Sequence, residues 1–201
     1  YLSIKIINND QLDNLVHKVF TRELRNQITK ITGFSYSVDF MIFYDRKFIP
    51  EDLRKVPTLK QAYSYRWHFD KPNSRNMLKI FIPINISNEH GPLEVIDKET
   101  SKQIRGFKNI NLQHERIFLI GEKNTIYGFK PTICCHRDGI PSNENVASQI
   151  MFQLNPNRSW VVNSNLYRRA PSLNDKLGVW TTEPKFPFFA YLLDRRVNFK
   201  N

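Results

Sequence analysis

From Gly33 onward the chain is cut into short runs rich in aromatic and β-branched residues, and none is long enough to bury a core alone. The runs are Phe34–Tyr44, Ala62–Phe69, Met77–Ile86, Leu93–Ile96, Arg116–Ile120, Asn124–Phe129 and Val146–Leu154, separated by Asn, Gly, Pro and Asp. Many short strands after a helical start predict a β-sandwich or barrel braced by helices. The helical start is residues 10–32, where Leu12, Leu15, Val16, Val19, Phe20, Leu24, Ile28 and Ile31 recur at helical spacing. Asn9 or Asp10 can cap it and Gly33 can end it. Its polar face carries Lys18, Arg22, Arg25 and Lys30, and the expectation is one scaffold helix packed on a sheet, with His17 structural. Lys47 to Lys60 reads as loop with a short helix.

No internal repeat, low-complexity tract or linker divides the chain, so residues 1–201 are expected to form a single domain. The last stretch, Asn155 to Asn201, holds eight basic residues against three acids, with Trp160, Tyr167, Trp180 and the Phe186–Phe189 cluster. It is expected to wrap the barrel or to form a lid.

Hydrophobic residues make up 40% of the chain, which excludes a disordered class. No apolar run approaches the roughly 18 residues that span a bilayer. No signal-peptide pattern precedes the first structured segment, and the start at Tyr1 rather than Met leaves a leader or tag open. The only cysteines, Cys134 and Cys135, are neighbours, so no disulfide framework is expected and a reducing, cytoplasmic compartment fits. The net charge of +11 would attract anionic partners: phosphorylated or CoA-like substrates, acidic carrier proteins, nucleic acid or a membrane surface. A solvated basic surface accounts for it equally well. No Lys/Arg block, zinc-finger spacing or aromatic RNA-binding signature is present, so nucleic acid is not the expected partner.

One triplet stands out within the strand pattern. Side chains at i and i+2 of a strand share a face, so His68 and Asp70 project together and Phe69 faces away. His136, sixty-six residues after Asp70, can supply a third ligand from another strand. Two imidazoles and one carboxylate, with no thiolate, suit Fe(II) better than structural zinc and leave open coordination positions. His90, beside Gly91-Pro92, and His114, before Glu115-Arg116, compete for the third position. Arg66 shares parity with His68 and can line a pocket or pair with an acid. Cys134 shares parity with His136 and can lie near a metal or pack as a small thiol.

The stretches Trp67-His68-Phe69-Asp70, Leu78-Lys79-Ile80-Phe81-Ile82 and Glu89-His90-Gly91-Pro92-Leu93-Glu94-Val95-Ile96 resemble the phytanoyl-CoA dioxygenase family. So does the later run Cys135-His136-Arg137-Asp138-Gly139-Ile140-Pro141, followed by Val146 to Leu154. The resemblance covers residues 60–156, about half the chain. It implies a double-stranded β-helix (a jelly-roll, cupin-like fold) braced by the N-terminal helix. It further implies Fe(II) held by His68, Asp70 and His136, with 2-oxoglutarate as co-substrate. The implied activity is hydroxylation of a small-molecule or carrier-linked substrate. Because Asp70 fills the carboxylate position, hydroxylation is favoured over halogenation.

The chain departs from that family after His136. An Arg about eleven residues later normally grips the far carboxylate of 2-oxoglutarate, whereas here the neighbourhood reads Asn145-Val146-Ala147-Ser148-Gln149-Ile150. Ser148 and Gln149 can donate hydrogen bonds to the co-substrate but carry no charge. Lys79 resembles the anchoring Lys of the related JmjC-type oxygenases and is the expected cation, with Arg137 and Arg158 as alternatives. Leu78, Ile80, Ile82 and Ile84 are expected on one face of that strand and Lys79 and Phe81 on the other. A non-catalytic jelly-roll binding protein that has lost 2-oxoglutarate is the competing reading, and a basic nucleic-acid module a third. Loops 45–60 and 97–112 and the C-terminal segment would set the substrate, and no motif decodes them.

Overall fold

A computed structural model describes residues 2–4, 9–54, 65–70, 75–84, 86–105, 115–121, 125–142, 144–162, 167–168 and 179–181. The fold is mainly antiparallel β-sheet with a few helices. The strands are β1 (Leu2–Ile4), β2 (Ser35–Lys47), β3 (Leu78–Ile84), β4 (Glu94–Val95), β5 (Ile117–Phe118), β6 (Tyr127–Phe129), β7 (His136–Arg137), β8 (Val146–Asn157), β9 (Tyr167–Arg168) and β10 (Val179–Thr181). The helices are α1 (Asn9–Val19), α2 (Arg22–Thr32), α3 (Glu51–Arg54) and α4 (Lys98–Ile104). One sheet runs β6-β3-β8-β2-β10-β9, with β1 on β2, and a second runs β5-β4-β7.

The chain divides into two compact units: residues 1–3, 44–71 and 81–150 form one, and residues 4–43, 72–80 and 151–201 the other. In the second unit, Leu12, Val16 and Phe20 from α1 and its end are buried with Tyr36, Val38 and Met41 of β2 and Phe152 and Leu154 of β8. Phe20 meets Phe152 edge-on at 5.1 Å between ring centroids. The Trp160 indole N–H donates to Thr29 Oγ1 at 2.9 Å.

The expected single helix over 10–32 is two helices. Thr21 breaks it: its backbone leaves helical geometry and its hydroxyl accepts from the Leu24 N–H at 3.3 Å, capping α2 afresh. The restart rephases the apolar stripe. Ile28 is buried, but Ile31, expected on the same face, is 83% exposed. Gly33 ends α2 as expected, at φ 78°, with its N–H on Thr29 O.

β3 also departs from simple alternation. Leu78 and Ile80 are buried, then the burial shifts phase to Phe81 and Pro83, leaving Ile82 and Ile84 half-buried. Phe81 is buried because its ring stacks on Phe129 at 5.6 Å. Helix α4 falls within a stretch expected as loop; Asp97 caps it by accepting from the N–H groups of Glu99 and Thr100 at 2.8 and 3.0 Å. Of the C-terminal wrap or lid, only residues 155–162, 167–168 and 179–181 are described; the rest, with Phe186–Phe189, lies outside the described residues. No described helix is long and apolar enough to cross a membrane.

Candidate metal centre

The first unit places His68, Asp70 and His136 together, with one ligand atom from each within 4.8 Å of the others. Residues 65–70 do not form the expected strand. They make a single antiparallel bridge in which His68 and His136 exchange both backbone hydrogen bonds, at 3.0 Å each. Asp70 is fixed by its own N–H, which donates to Pro131 O at 2.9 Å. On the other side of His136, β7 pairs with β4, Val95 opposite His136. The segment bearing the distal histidine is thus held along both edges.

The side chains converge on Asp70. Its Oδ1 lies 3.5 Å from His68 Nε2 and 3.6 Å from His136 Nε2. These separations exceed an N–H···O hydrogen bond of about 2.7–3.2 Å. They are close to what a divalent metal demands, since bonds of about 2.1 Å put neighbouring donor atoms about 3 Å apart. Tautomers agree with this. His68 Nδ1 lies 2.6 Å from Arg66 O and His136 Nδ1 lies 3.1 Å from Cys134 O. A carbonyl only accepts, so both Nδ1 atoms carry a proton and each ring turns its Nε2 toward Asp70. The three side chains are 10%, 14% and 4% exposed, sheltered yet within reach of solvent. The Phe129 ring stands edge-on to His136 at 5.2 Å and covers it with carbon. The donor set, its spacing and the tautomers fit a single divalent ion.

His90, the described competitor, does not join the cluster. His90 sits in a turn, where Nδ1 accepts from the Ser87 N–H at 3.2 Å. His17 is exposed on α1. His114 lies outside the described residues. Arg66 is exposed. Of the two thiols, Cys135 is the fully buried one and packs with Ile96 and Ile104, while Cys134 is half-buried. Burial pushes the Cys135 thiol up to about 11 and raises that of Cys134.

The polar candidates for a co-substrate are spread differently. The Ser148 hydroxyl donates to Asp45 Oδ1 at 2.6 Å. Gln149 is buried; its amide N–H donates to the Tyr44 hydroxyl, and its Oε1 accepts from Arg46 at 3.4 Å. Lys79 is half-buried on β3 and belongs to the second unit. Arg158 is exposed just past β8. Arg137 is held by Glu94, Nε to Oε1 at 3.0 Å and Nη2 to Oε2 at 3.1 Å.

Sequence reasoning missed Arg46. It is fully buried, and its Nη1 donates to Gly91 O and Gly139 O, each at 2.7 Å. It also lies 3.7 Å from Asp138. The bolt works because the two loops touch through backbone. A Cβ on Gly91 would come within 2.3 Å of Ile140 C, and one on Gly139 within 2.5 Å of Pro92 O. Burial, reinforced by the Asp138 charge, holds the phenols of Tyr44 and Tyr65 above their usual range. Parity with the buried Ile42 and Tyr44 was the available signal for Arg46.

No protein-family model matches the sequence, and no characterised protein matches it in sequence. Solved structures similar to the chain include AviO1 from Streptomyces viridochromogenes Tue57, at 11% identity and a TM-score of 0.44, covering 73% of this chain and 62% of that one. Another is the non-haem α-ketoglutarate-dependent epimerase SnoN from nogalamycin biosynthesis, at 13% identity and a TM-score of 0.48, covering 85% of this chain and 68% of that one. The chain therefore spans less than two thirds of the length of AviO1. Both likenesses are distant in sequence and partial in shape.

Proposed function

We propose that this chain is a non-haem Fe(II)- and 2-oxoglutarate-dependent dioxygenase, similar to the phytanoyl-CoA dioxygenase family, that hydroxylates a small-molecule or carrier-linked substrate on a jelly-roll scaffold. The observation that carries the reading is the convergence of His68 Nε2, Asp70 Oδ1 and His136 Nε2, with both imidazole tautomers set for coordination. When bound, Fe(II) with 2-oxoglutarate supplies the oxidising chemistry. The chain's own residues hold the metal, keep Nδ1 protonated and shield one side of His136 with Phe129. Lys79 is the proposed anchor for the far carboxylate of 2-oxoglutarate, with Ser148 and Gln149 as supporting donors once they exchange Asp45 and Tyr44 for the co-substrate. Arg46 is a poorer candidate, because its guanidinium is already spent on two carbonyls and Gln149. The net charge of +11 supports an anionic substrate, and the two free cysteines support a reducing, cytoplasmic location.

A second reading, a binding protein that has lost 2-oxoglutarate, is favoured by the engagement of Ser148 and Gln149 within the fold. Anaerobic addition of Fe(II) and 2-oxoglutarate separates the two. The dioxygenase gives the weak visible charge-transfer band of the chelate, lost in His136→Ala, and uncoupled succinate under air. Metal binding without the band supports the second reading, and absence of both sinks the metal site.

A further inference from the structure

Behind the candidate centre runs a second network that involves none of the three ligands. Glu94, on the middle strand of the β5-β4-β7 sheet, is 6% exposed although it is a carboxylate. It is held from both sides. Arg137 grips it as a fork, and Arg116 Nη1 donates to Oε2 at 2.8 Å. Arg137 in turn sits over the Trp67 ring, its guanidinium carbon 4.7 Å from the centroid. Trp67 immediately precedes His68, and Arg137 immediately follows His136.

Alternation places this stack opposite the ligands. His68, Asp70 and His136 share one side, while Trp67 and Phe69 pack with Ile96, Ile104 and Cys135 on the other. The stack therefore joins the two segments that carry the imidazoles, one residue from each ligand. A planar, forked guanidinium stacked on an indole has few alternative poses, unlike a flexible ammonium.

We infer that Glu94 is a positioning residue of the metal centre: by orienting Arg137 against Trp67 it sets the spacing of His68 and His136. The inference rests on the metal reading proposed above. Outer partners that orient ligands are worth about 10- to 100-fold in metal affinity, and Glu94 acts here through backbone neighbours rather than through the imidazoles.

Anaerobic titration of the whole chain with Co(II), followed by its visible d–d bands, tests the assignment. Glu94→Gln weakens Co(II) binding by about 10-fold or more while the far-UV circular dichroism stays that of the parent. Arg137→Lys acts in the same direction, since an ammonium keeps the charge but neither forks nor stacks. It decides the question if Glu94→Gln fails to fold. Parent-like affinity in the folded variants, even with a lowered melting temperature, would make Glu94 a fold residue and overturn the inference. Absence of Co(II) binding by the parent chain would sink the metal reading, and the inference with it.

Discussion

At the scale of single residues, the centre is set by what each imidazole does with its other nitrogen. His68 and His136 both give Nδ1–H to a backbone carbonyl two residues back, so their tautomers follow from local geometry. Asp70→Asn keeps the shape and removes the charge that both Nε2 atoms face. It is expected to weaken Fe(II) binding by at least about 10-fold, read by anaerobic titration. The glycines behind the site are equally constrained. Gly91 has φ 59°, and a Cβ there would strike the backbone of Ile140. Gly91→Ala is expected to cost about 2 kcal/mol or more, measured as a fall in the urea midpoint. The pair His68 and Asp70 was legible from its i, i+2 spacing together with the family resemblance around it. Arg46 was not, because a buried cation is recognised by its acceptors, and these come from Gly91, Gly139 and Gln149, all distant in sequence.

Elements show where local signals suffice. Helix α2 begins at Thr21 and ends at Gly33, and both signals stand in the sequence. The capping Thr in mid-pattern was read as helix interior because the apolar period runs through it. Thr21→Ala is expected to destabilise by about 1 kcal/mol, seen in thermal denaturation. Helix α4 depends on Asp97, whose carboxyl is held below its ordinary value chiefly by its hydrogen bonds with Thr100. A lowered pKa means that the stabilisation is fully present above the usual value of 3.8 and fades as pH falls below it. Asp97→Ala is expected to lower the melting temperature at neutral pH, with the difference from the parent shrinking in acid. The strand β8 starts at the expected Val146 and runs three residues past the expected end, to Asn157, because strand-forming residues continue to Leu154 with no turn signal before Asn155. Of the run Ala62–Phe69, the described residues 65–69 pair at one bridge, His68 with His136 of the short β7.

For the molecule as a whole, stability gathers around buried groups that tie distant segments. In the first unit Arg46 links β2 to the loops at 91 and 139. Arg46→Met leaves two carbonyls and Gln149 short of a donor, and is expected to cost about 3 kcal/mol, seen as a lower denaturant midpoint with an unchanged slope. The thiols report the same unit. Cys135 is fully buried with its ionisation pushed up to about 11. At pH 8 it is expected to resist alkylation until the chain unfolds, while half-buried Cys134 reacts first; mass spectrometry of the alkylated chain reads the order.

The amino-acid sequence determined what short-range physics controls. Alternation put His68 and Asp70 on one side of the chain, Gly33 closed a helix, and the scattered short strands demanded a mainly β fold. Local pattern left His90 and His114 as competitors, the family resemblance pointed to His136, and the tertiary structure shows how that choice is realised. That choice depends on a bridge between His68 and His136 across sixty-eight residues, and long-range pairing leaves no periodic mark on the chain. The same holds for the buried charges. Glu94 and Arg46 read as ordinary strand residues until folding removes water from around them. A buried charge must then find partners, and for these two they come from separate segments of the first unit.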